Sequence, residues 1–226
     1  MILLDALGTL VGLEPPWQPL RSLLLERSGV EVALEDCVRA LSVEMRHYRE
    51  QCIRARDAQS LAALREECAE LVGRELSGAE VDTQTLLDAM RFRAYPEVAG
   101  ALAALRARGE RIVVVSNWDV SLHEVLARCG LAALVDRVLT SAEFGAAKPA
   151  PEIFHAALDG ADPASARHIG DSVREDVCGA RACGITALLL RRDDATLLAG
   201  SPDADSDAKA PPPDVRVISG LDELAA

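Results

Sequence analysis

The sequence predicts an α/β protein in which a parallel sheet is interrupted by an all-helical insert. Short apolar runs alternate with helix-like segments at the start of the chain and again from about residue 95 onward, a pattern typical of doubly wound α/β domains. Between these two parts, residues 15–90 carry apolar stripes at helical spacing and no convincing strand. The expected architecture is therefore a Rossmann-like, doubly wound parallel sheet with an inserted α-helical bundle.

Six apolar runs are predicted to form the strands of the sheet. They lack the polar alternation of half-exposed strands, which is typical of parallel strands covered by helices on both faces. The four stronger runs and the two weaker ones occupy residues 2–4, 112–115, 186–190, 215–218, 137–140 and 167–170. These runs assign residues 1–13 and 92–226 to the core that contains the sheet.

Two segments of the core are predicted to be helices because recognisable residues mark their ends. Residues 97–108 follow a proline and stop at Gly109, which suits the first turn and the C-terminal end of a helix. Residues 121–129 open with Ser121 and, three positions later, Glu124. That spacing is the sequence form of a capping box.

Residues 14–91 are predicted to form the inserted helical bundle. Apolar residues recur there every three or four positions, as on the buried faces of packed helices. An insert directly after the first strand covers the carboxyl end of that strand, where ligands bind in open α/β sheets. We therefore expect a cap, with hinges at residues 8–14 and 93–96. The two stripes are Val38, Leu41, Met45, Tyr48 and Cys52, and Leu61, Leu64, Cys68 and Leu71.

The composition argues against nucleic-acid and membrane partners. The chain has 24 Lys and Arg against 36 Asp and Glu, a formal net charge of −12, which repels phosphate backbones and anionic lipids. No apolar run approaches the roughly 18 residues of a membrane span, and the first ten residues lack the features of a signal peptide. Six cysteines without a C-x-x-C pair favour reduced thiols and a cytoplasmic location. The oligomeric state is left open.

The Pro- and Asp-rich residues 200–214 are predicted to be a linker. Asp203, Asp205 and Asp207 imitate the start of a calcium-binding loop. However, Ala208 stands where such a loop needs glycine, and no glutamate stands at the twelfth position. A calcium site is therefore not expected here.

Polar side chains stand at or just beyond the ends of four predicted strands. Because the carboxyl ends of parallel strands meet at one edge of a sheet, these side chains are expected to line one crevice. Each has an ordinary explanation by itself, as a turn former, a helix cap, a solvated lysine or an acid in the first turn of a helix. Their occurrence together and in this order is far more specific. They are Asp5, Ser116 with Asn117, Lys148, and Asp171 with Asp176.

The order of these motifs, with a helical insert after the first, resembles the haloacid dehalogenase-like hydrolase superfamily, in its helical-cap branch, over nearly the whole chain. The resemblance implies that Asp5 is the nucleophile and forms an aspartyl-phosphate, which water then hydrolyses. It implies that Ser116 hydrogen-bonds a phosphoryl oxygen, with the backbone N–H of Asn117 beside it. Lys148 would neutralise the charge that develops during transfer.

The resemblance also implies a magnesium site. Its ligands would be Asp5, the backbone carbonyl of Leu7 and Asp171, with Asp176 in support. Hard oxygen donors of this kind suit Mg²⁺. A divalent cation can hold a carboxylate nucleophile against a negatively charged phosphoryl group.

One position departs from the pattern of this family. Its metal-dependent phosphatases usually carry a second aspartate two residues after the nucleophile, which protonates the leaving group and later activates water. Here that position is Leu7, which cannot exchange a proton, and such assistance is typically worth about 10²–10⁴ in rate. Activity should therefore favour leaving groups that depart as stable anions, unless the substrate, a water or a residue such as Arg46, His47 or Tyr48 replaces the acid.

Three functions are consistent with this sequence. The main prediction is magnesium-dependent hydrolysis of a small phosphorylated metabolite. The first alternative is a metal-free 2-haloacid dehalogenase, because halide leaves without protonation and Leu7 stands where those enzymes have a tyrosine. Against it, Asp171 and Asp176 would repel the charge of Asp5 unless a cation lay among them. The second alternative is a non-enzymatic member of the family that binds a phosphate ligand or a protein.

Overall fold

The computed structural model describes residues 1–192, 196–198 and 210–224. Its centre is a sheet of six parallel strands, and two further short strands pair antiparallel with each other. The six runs predicted from the sequence all lie in the parallel sheet. In chain order the strands are β1 (Ile2–Leu4), β2 (Val11–Leu13), β3 (Phe92–Ala94), β4 (Ile112–Ser116), β5 (Arg137–Thr140), β6 (Arg167–Gly170), β7 (Thr186–Leu190) and β8 (Arg216–Ile218).

The first strand lies in the middle of this sheet. The order from edge to edge is β5-β4-β1-β6-β7-β8, and Leu4 of β1 lies between Val114 and Ile169. Ile2 and Leu4 belong to one apolar cluster and Leu3 to another, because successive side chains of a strand point to opposite faces. Both faces of the sheet are therefore covered, and the prediction of a doubly wound parallel sheet is confirmed.

Four helices form the insert after the first strand. They enclose an apolar cluster of their own, whose buried members include Leu20, Leu41 and Leu64. The antiparallel pair of β2 and β3 connects these helices to the sheet, with Val11 opposite Ala94. The helices are α1 (Trp17–Ser28), α2 (Leu34–Gln51), α3 (Ala58–Glu75) and α4 (Thr83–Ala89).

The buried face of α2 differs from the predicted stripe. Val38 is 37% exposed, whereas Cys37, Ala40, Leu41 and Glu44 are buried. An α-helix completes one turn in 3.6 residues, so Val38 stands beside this face rather than on it. The prediction that Val38 lies on the buried face was wrong, because the spacing of the apolar residues alone does not show that Glu44 belongs to that face.

Five helices pack around the sheet: α5 (Val98–Ala107), α6 (Leu122–Arg128), α7 (Ser141–Phe144), α8 (Pro151–Leu158) and α9 (Gly179–Ala182). Helix α5 is followed by Gly109 at a positive φ of 77°, as its sequence predicts. The predicted capping box of α6 is wrong, because Ser121 has helical backbone angles and its side chain makes no capping hydrogen bond. A capping residue needs an extended backbone for its side-chain oxygen to accept from the backbone N–H groups of the first turn. Instead, the N–H of Ser121 donates to Asp119 Oδ1 at 2.6 Å.

Part of the predicted linker lies outside the described residues. This part is 200–209, and it includes Asp203, Asp205, Asp207 and Ala208. All six cysteines are described, and each is a free thiol. Within the described ranges, no helix combines the length and apolarity needed to cross a membrane.

Candidate active site

Asp5 stands at the carboxyl end of the central strand. Its backbone N–H donates to the carbonyl of Ile169 at 2.9 Å, which continues the ladder of the sheet past Leu4. Its side chain is buried, and Oδ1 accepts hydrogen bonds from Ser116 Oγ at 3.0 Å and from Lys148 Nζ at 2.6 Å. Ser116 is the last residue of β4, the strand next to β1. The ends of two neighbouring strands therefore bring Asp5 and Ser116 together, and the loop between α7 and α8 brings Lys148 to them.

Lys148 is buried, although a lysine in a loop is usually solvated. Its ammonium lies 2.6 Å from Oδ1 of Asp5 and 2.6 Å from Oδ1 of Asp176, and the side chain is only 1% exposed. Burial acts to lower the pKa of this ammonium, but the two carboxylates outweigh it and raise the pKa above its ordinary value. The lysine is thus held charged in the centre of the site.

The side chain of Asn117 holds the backbone of Lys148. Its Oδ1 accepts from the Lys148 N–H at 2.7 Å, and its Nδ2 donates to the Lys148 carbonyl at 2.9 Å. The same Nδ2 donates to Glu175 Oε2 at 2.9 Å. The sequence directed attention to the backbone N–H of Asn117, whereas the structure shows that its side chain orients the lysine loop.

Asp176 is enclosed by hydrogen-bond donors. Oδ1 lies 2.6 Å from Lys148 Nζ and 2.8 Å from His168 Nε2, and Oδ2 accepts from the Ser172 N–H at 3.0 Å. Burial acts to raise the pKa of this carboxyl, but Lys148 and His168 lower it below its ordinary value. Asp176 lies on a π-helical turn, Val173–Cys178, a local geometry that is frequent at functional sites.

Three carboxylates converge at this edge of the sheet. One oxygen each from Asp5, Asp171 and Asp176 lies within 4.8 Å of the others. Burial raises the pKa of Asp171 well above its ordinary value, and the charges of Asp5 and Asp176 raise it further. The pKa of Asp5 is also raised, because burial outweighs the attraction of Lys148. Carboxylates crowded in this way favour a cation among them.

Gly8 lets the loop after β1 approach this cluster. A Cβ on Gly8 would lie 2.1 Å from Oδ2 of Asp171, and the residue has a φ of +81°. Glycine avoids both the clash and the strain of that backbone conformation. The hard oxygen donors of the carboxylate cluster fit Mg²⁺. Asp171 lies close to Gly8, the residue that follows Leu7, whose carbonyl is predicted to be a further ligand.

A cavity of about 840 Å³ lies between the helices of the insert and this edge of the sheet. Its wall includes Asp5, Asp171 and the apolar side chain of Leu7 on the core side, and Tyr48 and Met45 on the insert side. Substrate-sized space therefore adjoins the carboxylate cluster, and much of its surface is provided by the insert.

The sequence analysis missed several acidic residues of this wall, among them Asp119 and Glu175. Asp119 is buried, and its Oδ2 accepts from the hydroxyl of Tyr48 at 2.7 Å, which links α2 to the loop after β4. Glu175 accepts from Asn117, and its Oε1 lies 3.9 Å from Nη2 of Arg49 on α2. No local sequence signal distinguishes either residue from an ordinary surface acid, because their partners are far away along the chain.

Of the side chains proposed to replace the missing acid, Tyr48 lines the cavity. Burial raises its pKa well above the ordinary value, and Asp119 adds to the shift, so the phenol keeps its proton and acts as a hydrogen-bond donor. His47 lies 3.6 Å from Glu67 on α3. Neither His47 nor Arg46 is among the described residues that line the cavity.

Sequence comparison relates the chain to one family along most of its length. The model for haloacid dehalogenase-like hydrolases matches residues 1–184, and a second HAD-hydrolase-like model matches residues 145–224. Haloacid dehalogenase-like hydrolase domain-containing protein 3 of Bos taurus is 47% identical over 96 residues, which cover 40% of this chain and 38% of that protein. Phosphoserine phosphatase of Thermus thermophilus is 36% identical over 126 residues, or 52% of this chain and 51% of that protein. The matches thus span about half or less of the length of these relatives.

Solved structures share the fold over the whole chain. A HAD phosphatase from Thermococcus onnurineus superimposes with a TM-score of 0.62 at 22% identity, over 99% of this chain and 94% of that one. L-2-haloacid dehalogenase from Xanthobacter autotrophicus gives a TM-score of 0.67 at 21% identity, over 99% and 96%. At these identities the likeness is one of fold. Because the first family model covers residues 1–184 of the 226, the chain belongs to the haloacid dehalogenase-like hydrolase family.

Proposed function

We propose that this protein is a magnesium-dependent phosphatase that hydrolyses a small phosphorylated metabolite through an aspartyl-phosphate on Asp5. The observation that carries the proposal is the convergence of Asp5, Asp171 and Asp176 around the buried ammonium of Lys148. Relatives named phosphoserine phosphatase and glyceraldehyde 3-phosphate phosphatase support a phosphate ester as the substrate. We further propose that residues 14–91 act as the cap over this site.

In the proposed reaction, Asp5 attacks phosphorus. Ser116 and Lys148 both bond to Oδ1, which leaves Oδ2 as the attacking oxygen. The bond from Oδ2 to phosphorus forms as the bond from phosphorus to the ester oxygen breaks, and the departing oxygen keeps the electron pair. Water then cleaves the aspartyl-phosphate and releases inorganic phosphate.

Lys148 and Ser116 would bind the phosphoryl oxygens. The ammonium of Lys148 is already fixed between two carboxylates and needs no rearrangement to oppose the charge of the transferring group, which is the condition for efficient electrostatic stabilisation. Asn117 keeps the lysine in register by holding both its backbone N–H and its carbonyl. Ser116 would turn its hydroxyl from Asp5 towards a phosphoryl oxygen.

Asp5, Asp171 and the backbone carbonyl of Leu7 would hold Mg²⁺, with Asp176 in support. When bound, the ion supplies positive charge that offsets the carboxylates and the phosphoryl oxygens. Asp176 already accepts from Lys148, His168 and the Ser172 N–H, so its support consists mainly of keeping the lysine in place.

Leu7 would limit the range of substrates. Its side chain packs against the apolar cluster on one face of the sheet and cannot give a proton to the departing oxygen. We therefore propose that phenolic and similar esters, whose leaving groups are stable anions, react faster than simple alkyl phosphates.

The test is release of phosphate from p-nitrophenyl phosphate and a panel of metabolite phosphates, with and without Mg²⁺. Asp5→Asn should lower the magnesium-dependent rate by at least about a thousandfold, because the nucleophile is removed. Asp222→Asn is the control and should retain the wild-type rate, because Asp222 is an exposed acid in the short 3₁₀ turn Leu221–Leu224. An Asp5→Asn variant with undiminished magnesium-dependent activity would disprove the role of Asp5.

The second candidate is a 2-haloacid dehalogenase, and Leu7 is the observation that favours it. Halide leaves without a proton, so such an enzyme has no need of an acid at this position. Release of chloride or bromide from 2-haloacids in the presence of a chelator, with no phosphatase activity, would decide for this candidate. Asp171 and Asp176 weigh against it, because even beside Lys148 they repel the charge of Asp5 unless a metal ion lies among them.

A further inference from the structure

The insert side of the cavity carries a buried carboxyl group. Glu44 of α2 is only 5% exposed, and it lines the cavity. The thiol of Cys68 on α3 faces this carboxyl group, but a thiol is only a weak hydrogen-bond donor. Buried carboxyl groups are ordinarily paired with a cation or with several donors.

Glu44 is not required by the packing of the helices. The other buried residues on this face of α2 are Cys37, Ala40 and Leu41, so an apolar side chain would fill the position without the cost of desolvating a carboxyl. That cost appears in its pKa, which burial raises from 4.5 to about 7. A carboxyl kept in such a place, on the wall of a cavity, suits a ligand that brings the missing donor.

The charge around the cavity favours a cationic donor. Of the described residues that line it, more are acidic than basic, even when Asp5, Asp171 and Asp176 are set aside. Focused negative potential of this kind raises the local concentration of cations. Besides Arg49 and Arg65, the insert wall of the cavity carries apolar side chains, among them Met45, Leu64 and Met90.

The position of Glu44 separates it from the reaction centre. Tyr48, one turn further along α2, bonds to Asp119 in the loop that follows Ser116. Glu44 lies about 6 Å back along the helix axis from Tyr48, since each residue rises 1.5 Å. A molecule whose phosphoryl group meets Asp5 would therefore place a more distant part of its body beside Glu44.

We propose that Glu44 is a specificity-determining residue that binds a protonated amine of the substrate, which would then be a phosphate monoester with an amine-bearing, partly apolar body. This inference rests on the proposed phosphatase function and adds the substrate class. The carboxylate of Glu44 accepts the N–H bonds of the ammonium group, and Met45 and Leu64 contact the apolar part. Desolvated pairs of this kind discriminate between ligands more strongly than exposed ones.

The test uses two esters of similar shape at pH 8 with Mg²⁺. These are 4-(2-aminoethyl)phenyl phosphate, which carries the ammonium group, and 4-propylphenyl phosphate, which does not. Both leave as phenolates, as the apolar Leu7 requires. The wild type should prefer the amine by about tenfold to a hundredfold in kcat/KM, mainly through KM, as expected for a hydrogen bond to a charged group.

In Glu44→Gln, the kcat/KM values for the two esters should become nearly equal. Glu44→Asp should restore part of the preference for the amine. Glu50→Gln, an exposed acid on the same helix, is the matched control and should keep the wild-type ratio. The inference would be overturned if the ratio of kcat/KM values for the two esters were the same in the wild type and in Glu44→Gln. It would also be overturned if the wild type did not distinguish the esters.

A binding experiment separates this inference from the phosphatase proposal. Calorimetry with Asp5→Asn, alone and combined with Glu44→Gln, measures the affinity for both esters without turnover. If the wild type hydrolyses neither ester, the phosphatase proposal fails, while the ratio of affinities still decides the role of Glu44. If both are hydrolysed but the affinities do not depend on Glu44, only the inference on substrate class fails.

Discussion

Replacing Glu44 by glutamine is expected to stabilise the fold, by an amount that depends on pH. Burial raises the pKa of this carboxyl from 4.5 to about 7, so the folded protein binds more protons than the unfolded chain between these pH values. The free energy of unfolding of the wild type therefore falls as the pH rises from about 4.5 to 7. Above pH 7 the full penalty is about 3 kcal/mol, at 1.4 kcal/mol for each unit of pKa.

Urea unfolding at pH 8 and at pH 4.5, followed by circular dichroism, measures this effect. At pH 8, Glu44→Gln should be more stable than the wild type by up to about 3 kcal/mol, or roughly 6–12 °C in Tm for a chain of this size. At pH 4.5 the difference should nearly vanish, because the wild-type carboxyl is then neutral. Cys68, which faces Glu44 from α3, and Tyr48 on the same helix both have raised pKa values and stay neutral in this range. Arg49 of α2 and Arg65 of α3 are the basic residues of the insert that line this cavity.

Glu50→Gln is the control, because Glu50 is exposed on the same helix. It should change the stability little, and equally at both pH values. A Glu44→Gln variant that is no more stable than the wild type at pH 8 would refute the reasoning, since it would mean that contacts in the fold compensate the buried charge. A gain of stability together with loss of amine selectivity is the combination expected of a residue kept for binding.

Three further predictions concern the candidate site. Leu7→Asp should raise the rate on alkyl phosphates by tenfold or more, and more than the rate on p-nitrophenyl phosphate; equal or reduced rates on both would show that this side chain does not limit protonation. Gly8→Ala should weaken activation by Mg²⁺ and lower stability by about 1–2 kcal/mol, because its Cβ would lie 2.1 Å from a carboxylate oxygen of the proposed metal site. Gly109→Ala, which has a similar φ and no atom within 4 Å of the added Cβ, should lose stability without any change in the Mg²⁺ titration. Tyr48→Phe should destabilise the fold by about 1–3 kcal/mol in urea unfolding, because the carboxylate of Asp119 loses its 2.7 Å donor; an unchanged stability would show that water replaces the phenol.

The strands were the most predictable part of this fold. Residues 112–115 are an unbroken apolar run, and such a run of β-branched residues between turn residues is typical of a strand covered on both faces. The run at residues 2–4 is shorter, but the acid that follows it marks the end of the strand. The burial of each residue in these segments can be predicted from the pattern of apolar and polar residues next to it, and this pattern is visible in the sequence.

Residues whose role depends on a distant partner were less predictable. Ser121 and Glu124 have the spacing of a capping box, yet the Ser121 N–H, which Glu124 would accept in such a box, donates to Asp119 instead. Lys148 looks like a solvated charge, and its burial follows from Asn117 and two aspartates that approach from other loops. His168 lies within the largely buried strand β6, and only the fold places Asp176 against its ring.

The sequence by itself determined the parallel sheet, the helical character of the insert and the order of the polar motifs along the chain, because each of these depends on local spacing and side-chain chemistry. The tertiary structure alone decided which carboxylates crowd together, which side chains face the cavity and how strongly burial shifts their pKa values. These properties depend on distances between residues far apart along the chain, such as Asp5 and Asp171, which are 166 positions apart, and on the exclusion of water between them. Periodicity within one segment carries no information about either.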